Sequence, residues 1–250
     1  MPINTTYEDH IAIISLELAE DYFDLDTLGE LVEHASVISM DVENTYAVII
    51  RSLKSSFARG WSQEILDMTA HDQIALGAAF TAVTNIKQPI IAAMSGSVLS
   101  AGLELALSCD IRIAATNSLF AFPETRMGCV PLAGATQRLP RAIGRSNALR
   151  MLLTGEEINA NEALRIGLVS ELIDEECLDL KAKEIAKVIS SRGPIATRFA
   201  KEAILRGSEV GLAEGLQTEL DLTVILQTTE DRAEGVAAFV EKRDPVFKNR

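Results

Sequence analysis

The chain has 250 residues, 36 acidic against 23 basic, and a formal net charge of −13. Between Met1 and Ile50 there are eleven acids and no lysine or arginine, so this fifth carries −11 and the other 200 residues only −2. That pattern excludes the basic face of a targeting peptide and a basic surface for nucleic-acid phosphates, and the longest uncharged stretch, after Lys87, is broken by serines and ends at Glu104, so no apolar run of about eighteen residues could span a membrane. The expectation is a soluble, cytoplasmic protein.

With 48% hydrophobic and 24% charged residues, the composition is that of a globular protein with one large core. Strand and helix periodicities alternate along the chain, which predicts an α/β fold. The strand candidates are His10–Leu18, Tyr46–Leu53, Pro89–Met94 and Asp110–Ala115. Between the first two, Thr27-Leu28-Gly29-Glu30 reads as a capping box opening a helix whose inner face holds Leu28, Leu31, Ala35 and Ile38. A second helix is predicted from His71 to Ile86, with Ile74, Ala78, Phe80 and Val83 as its apolar positions. From Asn159 onward, helices at Ala160–Ile166, Leu178–Ser190, Ile195–Arg206, Glu209–Leu226 and Glu230–Arg243 follow one another, with Gly167–Ile173 as the one remaining strand. This divides the chain into a sheet-containing core, residues 1–190, and a helical section, 191–250.

Cys109, Cys129 and Cys177 are odd in number and widely spaced, so they form neither a disulfide framework nor a C-x-x-C motif, and they are expected to be buried thiols. No G-x-S-x-G, Walker A, G-x-G-x-x-G or H-E-x-x-H pattern occurs. His10, His34 and His71 sit in the polar first third and read as solvated or capping residues. Acid–base chemistry, if present, falls to carboxylates.

The centre of the chain holds two candidates. Pro89 to Asp110 reads as a buried strand, a turn of small residues and a helix beginning near Ala101, whose first-turn N–H groups could face an anion or a developing oxyanion. Glu104 lies in that first turn between Leu103 and Leu105, an apolar setting in which a carboxylate is either partnered or functional. Glu124 follows Phe120-Ala-Phe-Pro and is either ion-paired with Arg126 or Arg138, or the second member of a general acid–base pair.

The stretches Lys87-Gln-Pro-Ile-Ile-Ala-Ala-Met-Ser-Gly96, Ser100-Ala-Gly-Leu-Glu-Leu-Ala-Leu-Ser-Cys-Asp-Ile-Arg-Ile-Ala114, Phe120-Ala-Phe-Pro-Glu-Thr-Arg-Met-Gly-Cys-Val-Pro131 and Gly134-Ala-Thr-Gln-Arg-Leu-Pro-Arg141 resemble the crotonase family, and within it the enoyl-CoA hydratases. Ala163–Val169 and Phe239–Phe247 extend the likeness to the C-terminus. The resemblance implies a spiral of ββα units followed by a helical region that makes trimers, commonly paired into hexamers. It also implies an acyl-CoA thioester substrate, with coenzyme A part of the substrate and no separate cofactor or metal. By the same resemblance, the backbone N–H groups of Trp61 and Ala101 form the oxyanion hole. Glu124 then donates a proton to the α-carbon, and Glu104 orients the attacking water. Ala58, Arg59, Gly60, Gly102, Leu132 and Lys242 are the implied substrate-binding positions.

Three positions depart from the family pattern. Arg59-Gly60-Trp61-Ser62 stands where the family has Ala-Gly-x-Asp, Ser100-Ala101-Gly102 where it has three glycines, and Leu132 where it has a glycine whose loop helps place the water. A positive φ at 132 would make leucine strained there. The family's early basic residue is also missing, so Lys54 or Arg59, with Lys242 or Lys248 from a neighbouring subunit, would have to face the coenzyme A phosphates. Besides hydration of a trans-2-enoyl thioester, the alternatives are isomerisation, hydration of a cyclic or carrier-bound enoyl thioester, and a non-catalytic subunit.

Overall fold

A computed structural model describes residues 2–69, 73 and 76–250. In chain order it contains β1 (Ile3–Glu8), β2 (Ile11–Leu16), β3 (Tyr22–Phe23), α1 (Leu25–Met40), β4 (Ala47–Ser52), β5 (Gly60–Trp61), α2 (Gln63–Leu66), α3 (Leu76–Thr84), β6 (Ile90–Met94), β7 (Ser97–Leu99), α4 (Ala101–Leu107), β8 (Ile111–Ala115) and β9 (Leu119–Ala121). A 3-10 turn at Pro123–Met127 leads to α5 (Ala135–Ile143), α6 (Arg145–Thr154), β10 (Ile158–Asn159), α7 (Ala160–Arg165), β11 (Glu171–Ile173), α8 (Leu178–Ser190), α9 (Pro194–Gly207), α10 (Leu212–Leu226) and α11 (Glu230–Glu241).

Six strands form the main sheet in the order β1-β2-β4-β6-β8-β11, parallel except for the antiparallel β1 at its edge. Its central strands are buried on both faces, as a parallel sheet requires. Ala12, Ile14, Val48, Ile50, Ile90 and Ala92 face the large core, while Ile11, Ile13, Ala47, Ile49, Ile91 and Ala93 face α8 through Leu178, Ala182 and Ala186. Each of β2, β4, β6 and β8 is followed by a short strand of a second layer, β3 and β5 pairing with each other and β7 with β9. A helix follows each short strand, so the ββα unit recurs along the chain. Every pass returns the backbone to the same edge, where β5, β7 and β9 end beside one another.

Several expectations need correction. The cap of α1 is Asp24, three residues before the expected Thr27. Asp24 Oδ1 accepts from Thr27 N at 2.8 Å and from Thr27 Oγ1 at 2.5 Å, and a carboxylate in extended backbone suits the cap better than a buried threonine. Glu30 then turns outward from the cap and accepts from Ile3 N, pinning β1, an edge strand the sequence reading did not place. On α3 the buried positions are Leu76, Ala79, Phe80 and Val83, with Ala78 exposed. His71 and Ile74 lie outside the described residues. Cys109 is buried, but Cys129 and Cys177 are exposed, because each sits in a connection rather than on an inward helix face. His10 stacks on Tyr46 and His34 bonds Thr5, so both are surface residues with local partners.

The helices after residue 190 lean on the core through α9. Lys201 Nζ bonds the carbonyls of Ile86 and Gln88 and pairs with Asp110 at 2.7 Å. Buried Asp231 accepts from the amides of Lys248 and Asn249, so the C-terminal tail is tied down. On α10, Leu212, Leu216, Leu220 and Val224 form an exposed apolar stripe, and Phe239 and Val240 on α11 are also exposed. No helix among the described residues is long and apolar enough to cross a membrane.

Candidate active site

The chain folds Glu104 and Glu124 into one enclosed cluster at the ends of β5, β7 and β9. Glu104 is carried by α4, which begins directly after β7, and Glu124 by the 3-10 turn that follows β9. Pairing of β7 with β9, from Ser97↔Leu119 to Leu99↔Ala121, aligns the two exits. Ser100 N donates to Ala121 O at 3.0 Å, the last rung before the strands diverge into the two glutamate segments.

Glu104 is fully buried, and its Oε1 accepts from the amides of Ala133 at 2.8 Å and Ala135 at 3.0 Å. Both amides can turn inward because Gly134 between them has φ +107°, a conformation that strains any residue with a Cβ. Among the described residues its Oε2 has no partner, nor does either oxygen of Glu124, which is 4% exposed. Three buried carboxylate oxygens thus lack donors, and buried acceptors without partners mark a place where something else binds. The ion pair of Glu124 with Arg126 or Arg138 is not formed: among the described residues neither arginine reaches it.

Burial raises the proton affinity of both acids. Glu104 is pushed from 4.5 to about 7, mainly by desolvation and further by the charge of Glu124, while the two amides and Arg138 pull the other way. Glu124 is also raised by burial, with the nearby Ser100 side chain opposing it without reaching hydrogen-bond geometry. Interacting acids of this kind titrate as a pair, and one of them is readily kept protonated near neutrality.

The third wall comes from β5. Ala58 bridges to Val98, and Gly102 packs so closely on it that an added Cβ would lie 2.5 Å from Ala58 O. A Cβ added to Gly60 would lie 3.3 Å from Ser100 Cβ, so residues 60–61 and 100–101 run side by side. Trp61 and Ala101 are both buried, and the N–H of Ala101, the first residue of α4, has no acceptor among the described residues. Trp61 directs its ring inward, stacked on Phe80 at 5.6 Å and near Phe23 at 6.4 Å. Trp61 also lines a groove of about 440 Å³ with Tyr22, Asp24, Ser62, Gln63 and Leu66, and neither glutamate is among its lining residues.

Leu132 has no positive φ, so the strain expected there does not arise; its half-buried side chain packs on the main core. The unusual backbone is instead at Ser100, with φ 49° and ψ −120°. Lys54 bonds the carbonyl of Leu18 and so is already engaged. Arg59 is exposed and forms no ion pair among the described residues. Lys242 caps α11, and within one chain neither it nor Lys248 contacts the glutamate cluster. Sequence reasoning missed Ala133 and Phe23; it placed Phe80 only on a helix core face, Arg138 only as an ion-pair partner for Glu124, and Ser100 and Ala135 only within the family-like stretches, and the small-residue run around Gly134 carried the local signal of a tight turn.

Over residues 8–250 the chain matches the family described as enoyl-CoA hydratase/isomerase. The chain belongs to that family. Curated relatives include the crotonyl-CoA hydratase of Syntrophomonas wolfei, 36% identical over 96% of this chain and 95% of that one. The (E)-benzylidenesuccinyl-CoA hydratase of Thauera aromatica is 35% identical over 99% of each. Among solved structures, an enoyl-CoA hydratase from Bacillus anthracis superposes with a TM-score of 0.96 at 37% identity, covering 100% of both chains. The resemblance seen in the central motifs therefore holds along the whole chain, with the crotonase fold and its C-terminal helices. Members of this family act on acyl-CoA substrates.

Proposed function

We propose that this family member is an enoyl-CoA hydratase that adds water to a trans-2-enoyl-CoA. The observation that carries the reading is the pair of buried glutamates with three oxygens unpartnered, and no ion pair to either, among the described residues. Ionised Glu104 holds the attacking water and receives its proton, while protonated Glu124 delivers a proton to the α-carbon. Proton return from Glu104 to Glu124 resets the pair. The thioester oxygen, negative in the enolate, is received by the N–H groups of Trp61 and Ala101, each worth about 2.7–4 kcal/mol by analogy with other oxyanion holes. Ala58, Gly60 and Gly102 shape that wall. Protons, water and the polarised thioester suffice, so no separate cofactor is invoked. The hydratase names of the relatives from Syntrophomonas and Thauera support the reaction class.

The test follows loss of the conjugated-thioester absorbance with crotonyl-CoA and with longer and cyclic enoyl-CoA thioesters. Glu104→Gln and Glu124→Gln are each expected to lower kcat by about 10²–10⁴. Absence of turnover with every substrate in the native protein would refute the proposal. Trp61, Ser62 and Leu132, where the chain departs from the family pattern, favour as a second reading another crotonase reaction, isomerisation or hydration of a cyclic or carrier-bound enoyl thioester, which would show as weak turnover of crotonyl-CoA with faster turnover elsewhere.

Arg59, exposed and without an ion pair among the described residues, is assigned to the coenzyme A phosphates, with Lys242 or Lys248 of a neighbouring copy. Lys54, bound to Leu18, contributes less. Residues 191–250 are assigned to a homotrimer, or a hexamer of two trimers, which would cover the apolar stripe of α10. A cytoplasmic enzyme is consistent with this reading.

A further inference from the structure

We propose that Arg138 is a positioning residue for Glu104: its guanidinium clamps the Ala133–Ala135 turn against α3 and so keeps two backbone amides aimed at one carboxylate oxygen. The inference rests on the proposed role of Glu104 in holding water, and adds to it the part of the chain that sets how that carboxylate is held.

The geometry is a relay of three links. Arg138 Nη1 donates to Ala133 O at 2.8 Å, and Nη2 donates to Thr84 Oγ1 at 3.2 Å, so one planar fork ties the turn to the end of α3. The peptide unit on the other side of Ala133 points its N–H to Glu104 Oε1 at 2.8 Å, and Ala135 adds the second N–H at 3.0 Å. Between them Gly134 has no Cβ, and one placed there would lie 2.8 Å from Arg138 Nη1. The guanidinium thus packs directly on the turn whose carbonyl it holds. A lysine carries the same charge but is not a planar fork that can serve Ala133 O and Thr84 at once.

The groups that act on Glu104 are few. Glu124 faces it as the like charge, Arg138 as the opposite charge, and the two amides are its donors. Arg138 is itself partly desolvated and held charged by Glu104. The thiol of Cys109 also lies near Arg138, and burial keeps it neutral. Loss of Arg138 therefore removes a favourable charge and loosens both amides, and the two effects act in the same direction: Glu104 binds its proton more tightly.

The experiment is a carbon-13 carboxyl titration of the substrate-free protein labelled at glutamate, with Glu104 assigned by Glu104→Gln. Arg138→Gln is expected to move the Glu104 midpoint upward from about 7, and Arg138→Lys to move it part of the way. Thr84→Val, which leaves the guanidinium in place and removes only its far anchor, is expected to shift it upward by a smaller amount. Where turnover is measurable, the acidic limb of kcat/KM moves with the same midpoint. An unmoved midpoint in a cooperatively folding Arg138→Gln protein overturns the proposal. So does a lysine variant that titrates like the native protein, since that would reduce Arg138 to a remote charge. If Arg138→Gln does not fold, the lysine and Thr84→Val proteins decide the matter, and no movement in either is a refutation. The titration needs no substrate, so its failure leaves the hydratase assignment standing, and failure of all turnover assays leaves the titration readable.

Discussion

Glu104 offers a direct measurement of what a buried acid costs this fold. Its carboxyl ionises at about 7 in the folded chain against 4.5 when unperturbed. Between those values the folded state holds a proton that the unfolded state has released, so stability falls as pH rises. The contribution is intact below about pH 4.5 and fully lost above about pH 7. A tenfold difference in proton affinity between folded and unfolded chain corresponds to about 1.4 kcal/mol, and the part lost between pH 5 and pH 8 is about 2.5 kcal/mol. Glu104→Gln removes the ionisation while its amide oxygen can still accept from Ala133 and Ala135. Whatever fixed cost the substitution carries is the same at both pH values and cancels. Urea unfolding of both proteins at pH 5 and pH 8, at one protein concentration, should therefore show the native protein losing about 2.5 kcal/mol more than the variant. With a slope of about 3 kcal/mol per molar urea, the two proteins differ by about 0.8 M in how far their midpoints move. Equal pH dependence in the two proteins would show that Glu104 ionises normally and that its burial does not hold the proton.

Other consequences are equally concrete. At Ser100, where φ is 49° and ψ −120°, Ser100→Gly should be more stable than Ser100→Ala by about 1 kcal/mol in denaturant unfolding, the reverse of the usual order for glycine and alanine; the usual order would show that this turn is unstrained. Lys201→Met removes the partner of Asp110 and the donor to two carbonyls, and should destabilise the chain by about 2–3 kcal/mol, read from the same unfolding curves. A thiol reagent should label Cys129 and Cys177 in the native protein, and Cys109, whose thiol burial pushes up to about 12, only after unfolding. Rapid native labelling of three thiols would contradict the packing of α4.

Much of this protein is legible in its sequence because the governing interactions are local. The β-branched runs that became β2, β4, β6 and β8, and the helical faces of α1 and α8 to α11, follow from periodicity within a dozen residues. Glu104 could be singled out because an acid flanked by leucines is costly wherever it is buried. Family resemblance in the central motifs supplied the rest of the site before any geometry was known. Where local signals competed, they misled: Thr27 and Glu30 form a good capping box on paper, yet Asp24 three residues earlier takes the cap and Glu30 is drawn off to β1.

The tertiary structure alone decided what surrounds the two glutamates. Residues 104, 124 and 133–138 meet only because β7 and β9 pair and α5 packs beneath α4, and such contacts leave no trace in spacing. The absence of a cation at Glu124, the engagement of Lys54 with Leu18 and the ordinary backbone at Leu132 depend on where distant segments come to rest. Which residues can form helices and strands is set by the short-range chemistry of the chain. How strongly an acid holds its proton is set by desolvation and by donors many residues away, and those exist only once the chain has folded.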